Sequence, residues 1–84
     1  MITVAQQPLE DWFRANLRWW RKARNMTQAD LAERLGISRP SVTQLETGDW
    51  IPGLEVVARV AEALNIKPLQ LLSEPVEENS PASA

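Results

Sequence analysis

The chain has 84 residues, 44% of them apolar, a net charge of −2, and neither Cys nor His. That length holds one domain with one modest core, and the apolar share excludes disorder over most of the chain. Without Cys and His there is no disulfide, no thiolate or imidazole metal site and no imidazole general base, so enzyme and metalloprotein readings start badly. No metal or cofactor is expected.

No apolar run approaches the roughly 20 residues that cross a bilayer. Met1 to Leu9 lacks the basic start and apolar stretch of a secretory signal. The expectation is a cytoplasmic protein with no membrane partner.

The small net charge covers an uneven distribution. Residues 14–44 carry Arg14, Arg18, Arg21, Lys22, Arg24, Arg34 and Arg39 against only Asp30 and Glu33, whereas 45–84 carry seven acids against Arg59 and Lys67. A locally basic stretch can meet a polyanion even when the whole chain is acidic.

Residues 1–8 show no period and read as an N-terminal arm. From Leu9 to Arg24 the apolar residues Leu9, Trp12, Phe13, Leu17 and Trp20 recur at helical spacing. Asn25 can stop that helix in a left-handed conformation. Thr27 opens a second helix and forms a capping-box pattern with Asp30. Leu31, Ala32 and Leu35 are its buried stripe, and Gly36 ends it.

Ser38 is an N-cap for a third helix that tolerates Pro40 in its first turn, sends Val42 and Leu45 inward and ends near Gly48. Asp49 to Gly53 is a loop. A fourth helix runs from Leu54 to Leu64, with Leu54, Val57, Ala61 and Leu64 on one face and a Glu55–Arg59 pair on another. Leu69 to Leu72 forms a short fifth helix. The acidic, Pro/Ser-rich tail from 74 to 84 reads as disordered. The fold expected is all-α, five helices, with the folded domain at 9–73.

Thr27 to Thr47 is the informative stretch. Two short helices joined by Gly36-Ile37-Ser38 make a helix-turn-helix, whose second helix can enter a DNA major groove. Ala32 is small where the helices cross, Gly36 allows the sharp turn, and Ile37 and Val42 fill the angle between them.

The stretch LRWWRKARNMTQADLAERLGISRPSVTQLETGDWIPGLEVVARVAEALNI resembles the repressor/Cro-type, lambda-repressor-like XRE family of helix-turn-helix regulators. The likeness rests on Leu17, Arg21, Gln28, Leu31, Ala32, Gly36, Ile37, Val42, Leu45, Glu46, Gly48, Pro52 and Leu64 among others, and covers roughly residues 13–72.

The resemblance implies a bacterial or phage-encoded, nucleoid-associated regulator of transcription. It implies that Arg39, Pro40, Ser41, Thr43 and Gln44 face the bases. Chemistry agrees in part: Arg pairs bidentately with guanine, Gln with adenine, and a Thr methyl can touch the thymine methyl. Gln28 would lie against the backbone or a base edge, and Ser38 against the backbone with Arg18, Arg21, Lys22 and Arg24 and the amides near Gly48. Arg21 and Glu46 would form a structural ion pair. One departure is the loop after the third helix, Asp49-Trp50-Ile51, where relatives often carry Lys or Arg; this weakens a backbone clamp there.

The tryptophans split. Trp20 takes a core position, Trp19 points about 100° away, and Trp12 with Phe13 either caps the core or forms an interface. Family members usually bind DNA as two-fold dimers on inverted repeats. The interface implied here is Trp50, Ile51, Leu54, Leu69 and Leu72.

Three readings follow. The first is a dimeric, sequence-specific DNA-binding repressor. The second is an antitoxin-type module that neutralises a partner toxin and autoregulates its operon. The third is a scaffold that kept the fold, since fold alone does not fix function.

Overall fold

Local signals set several helix boundaries in the computed structural model, which describes residues 9–75. The arm at 1–8 and the tail beyond 75 lie outside the described residues. The five helices are α1 (Leu9–Ala23), α2 (Gln28–Leu35), α3 (Arg39–Thr47), α4 (Leu54–Leu64) and α5 (Leu69–Leu72).

Helix α1 has Glu10 and Asp11 in its first turn and Arg21 and Lys22 in its last, matching the helix dipole at both ends. Asn25 closes it with φ 58°. Thr27 caps α2 reciprocally: its hydroxyl accepts from the Asp30 amide, and the Asp30 carboxylate accepts from the Thr27 amide. That backbone donor, with the Thr27 hydroxyl, holds the Asp30 carboxyl below the usual carboxylate range.

Gly36 ends α2 at φ 72°, and Ser38 caps α3 through the Ser41 amide. Gly48 ends α3 at φ 98°, where an added Cβ would lie 2.9 Å from Arg14 Nη1. Asn65 closes α4 in the same left-handed way, with φ 60°.

Helix α1 packs against α3 and α5, while α2 packs against α3 and α4. Their shared core contains Phe13, Leu17, Leu31, Val42, Leu45, Val60, Leu64 and Leu71. Phe13 is therefore a core residue. The buried face of α4 is Val57, Val60, Ala61 and Leu64, and Leu54 is 79% exposed instead of joining it. Leu54 stands in the first turn at the edge of the stripe, and Val60 takes the inward direction. No helix among the described residues is long and apolar enough to cross a membrane.

Several of the basic side chains close the ends of other helices. Arg18 donates to the Glu46 carbonyl near the end of α3, and Arg59 donates to the Leu35 carbonyl at the end of α2. At the end of α4, Arg24 reaches the Leu64 and Asn65 carbonyls and Arg34 reaches that of Ala63. Each places a cation where unpaired carbonyls and the dipole favour it.

Candidate nucleic-acid interface

The site is built on the angle between α2 and α3. Val42 and Leu45 are fully buried against Leu31 and Leu35, and Ile37 packs partly into the turn. This burial fixes which face of α3 looks outward. Arg39, Pro40 and Gln44 are exposed, and Ser41 and Thr43 are half-buried. Arg39, Pro40, Thr43 and Gln44 line one open concavity of about 380 Å³. The Ser41 hydroxyl lies 2.8 Å from that of Ser38, so both turn toward the helix cap.

Behind this face runs a polar chain. Arg21 donates from Nε and Nη2 to the two Glu46 carboxylate oxygens at 2.6 and 3.3 Å, and from Nη1 to the Met26 carbonyl. Gln28 Nε2 donates to Glu46 Oε1 at 3.0 Å. Thr43 Oγ1 donates to Gln28 Oε1 at 2.8 Å.

The directions of these bonds are determined. A carboxylate only accepts, so the Gln28 NH2 must face Glu46 and its carbonyl oxygen must face Thr43. Thr43 must then be the donor. One charged pair between α1 and α3 thereby orients a side chain on α2 and a hydroxyl on the outward face of α3.

The expected backbone-contacting residues fall into two groups. Arg18 and Arg24 are exposed but already bonded to helix-end carbonyls, and Arg24 also lies 5.0 Å over the Trp20 ring. Gln28 is half-buried, with its oxygen and one Nε2 proton committed internally. Lys22 is exposed and makes no side-chain hydrogen bond or ion pair among the described residues. The Gly48 amide donates to the Gln44 carbonyl and closes α3.

Arg21, Gln28 and Arg39 together border an open depression at the start of α2. Ile51, Leu54 and Leu69 are exposed at 60, 79 and 73%, while Trp50 and Leu72 pack partly on the core. Trp19 is exposed and meets Trp20 edge-on with ring centroids 5.0 Å apart.

Sequence reasoning missed Asn16. It is 6% exposed, and its Nδ2 donates to the Leu71 and Ser73 carbonyls at 3.0 and 2.8 Å. The available signal was a polar residue beside Phe13 and Leu17 on the inward side of α1.

An apolar-packed helix pair with a polar outer face on its second helix defines a helix-turn-helix unit. A helix-turn-helix family profile matches residues 17–71, and the chain belongs to that family, among its XRE-type transcriptional regulators. An uncharacterised HTH-type transcriptional regulator of Methanocaldococcus jannaschii is 35% identical over 51 residues, 61% of this chain and 77% of that protein.

The cryptic phage CTXphi transcriptional repressor RstR of Vibrio cholerae is 44% identical over 46 residues, 55% of this chain but only 41% of RstR. The crystal structure of a hypothetical transcription factor from Neisseria superposes with a TM-score of 0.78 at 30% identity, covering 82% of this chain and 79% of that one.

Proposed function

We propose that the protein is a sequence-specific repressor that binds double-stranded DNA as a dimer and reads the major groove with α3. The observation that carries this reading is the outward face of α3, Arg39, Pro40, Thr43 and Gln44, braced from behind by the Arg21–Glu46–Gln28–Thr43 chain. Base readout needs side chains held in register, and such bracing supplies it.

In this reading Arg39 pairs with guanine and Gln44 with adenine, while Pro40 and Ser41 shape the approach. Lys22 contacts phosphate through an ammonium that has no internal partner among the described residues. Arg18, Arg24, Gln28 and Ser38 add contacts with the donor capacity their internal bonds leave. Arg21 is structural first.

Exposed Ile51, Leu54 and Leu69, flanked by Trp50 and Leu72, form the dimer surface, which sets the spacing of two half-sites. The likeness to a Vibrio phage transcriptional repressor favours repression over activation.

Selection of bound duplexes from a random library at near-physiological salt tests the reading. The expected product is an inverted repeat with half-sites about 34 Å apart. Salt-sensitive bulk binding without enrichment would count against it. That outcome would favour the antitoxin-type reading, in which a partner protein is the primary ligand.

A further inference from the structure

We infer that Thr43 reads the C5 methyl group of a pyrimidine through its own methyl group, its hydroxyl proton being held inside the protein. The inference rests on the proposed DNA-reading role of α3 and names one chemical group that this face recognises.

A threonine hydroxyl has one proton to donate. Here its direction is fixed by a chain of partners that begins at a carboxylate. Arg21 donates to Glu46, so Glu46 is held as an acceptor. Gln28 Nε2 donates to Glu46 Oε1 at 3.0 Å, which leaves Gln28 Oε1 facing Thr43. Thr43 Oγ1 spends its proton there at 2.8 Å, with the Arg39 carbonyl as a second contact at 3.3 Å. The hydroxyl has no proton left for guanine O6 or N7 or for thymine O4.

Tetrahedral geometry at Cβ then sends Cγ2 in another direction. Thr43 lines the concavity with Arg39, Pro40 and Gln44, and with its hydroxyl proton engaged by Gln28 the methyl is the group it has left for an apolar contact there. The Pro40 ring gives that concavity a second apolar group beside the polar side chains of Arg39 and Gln44. A methyl beside a proline ring has no hydrogen bond to offer. In the major groove the matching group is the C5 methyl of thymine, or of 5-methylcytosine.

The test is a scan of the selected operator with thymine replaced by uracil, one position at a time, which removes only the methyl. We expect one position per half-site where uracil weakens binding about fourfold, the factor for one buried methyl-sized group. Thr43→Ser keeps the hydroxyl and loses the methyl; it should bind thymine and uracil duplexes alike. Thr43→Val keeps a methyl and loses the hydroxyl; it should still prefer thymine at the same position.

A cytosine pair placed there should bind more tightly when methylated, which separates recognition of the methyl from recognition of thymine as a whole. A specific operator that tolerates uracil everywhere would overturn the inference while leaving the DNA-binding reading intact. A thymine preference that persists unchanged in Thr43→Ser would overturn it too. Absence of any specific operator would instead sink the reading beneath it.

Discussion

Arg21 and Glu46, 25 residues apart in the chain, meet at 2.6 Å with side chains only 11 and 4% exposed. The pair joins the last turn of α1 to the last turn of α3, and Gln28 adds the start of α2 through the same carboxylate. Glu46→Ala would strand a largely buried guanidinium and the Gln28 amide. Breaking a buried pair costs about 3–5 kcal/mol, and the lower end applies because Arg21 keeps the Met26 carbonyl. Urea unfolding should show that loss, with Glu46→Gln recovering part of it. A cost under about 1 kcal/mol would mean that the surrounding apolar core holds the helices without the pair.

Asn16 does for α5 what Glu46 does for α3. Its amide bonds two carbonyls where the short last helix ends, and α5 packs on α1. A four-residue helix does not hold itself together, so its place depends on Leu71 and on this amide. Asn16→Ala should cost about 2 kcal/mol, the penalty of leaving buried acceptors unpaired. Asn16→Asp, the same shape with acceptors in place of donors, should cost at least as much. Hydrogen exchange should show faster opening at Gln70 and Leu71 than at Val42. An Asp variant as stable as the parent would show that packing, not the bonds, places α5.

The Asp30 carboxyl gives α2 a pH-dependent start. Its folded-state pKa lies below the usual carboxylate range because the Thr27 backbone amide donates to it, with the Thr27 side chain as a second cause. A depressed pKa means that the charged form is favoured by folding, so this contribution is complete above about 3.8 and fades as pH falls through the lower folded value. The stability gap between the parent and Asp30→Asn should therefore be constant near neutrality and shrink below that range. Thermal melts of both proteins from pH 7 to 2 check it. A gap that widens on acidification would reverse the sign and refute the assignment.

What was legible in the chain was local. Thr27 with Asp30, Ser38, Gly36 and Asn25 act on amides and carbonyls within a few residues, so their cap roles and the five helix positions follow from spacing. The Arg21–Glu46 pairing came through family likeness, since nothing in the spacing alone joins α1 to α3.

The roles of Asn16, Arg24, Arg34 and Arg59 were not legible, because each bonds a carbonyl 24 or more residues away at the end of a different helix. Those ends come together only once the apolar stripes have packed. The same reason hid Gln28's inward turn. Leu54 shows the limit of periodicity, since its spacing fits the buried stripe while its first-turn place leaves it outside.

The two kinds of basic residue should separate in DNA binding. Lys22 is exposed with no internal partner among the described residues, whereas Arg39 borders the concavity on α3. Lys22→Ala should weaken binding by the same factor on every duplex and reduce the slope of log affinity against log salt by about one unit, as loss of one phosphate contact does.

Arg39→Ala should leave non-specific duplexes nearly unaffected and lose about 1–3 kcal/mol of discrimination at one base pair. Arg18→Ala combines a surface cation with the cap on Glu46, so its binding loss should come with a lower unfolding midpoint. Titrations of the three variants on the selected operator and on a scrambled duplex, at several salt concentrations, distinguish them. Equal losses for Lys22→Ala and Arg39→Ala on both duplexes would show that α3 lies on the backbone and does not read bases.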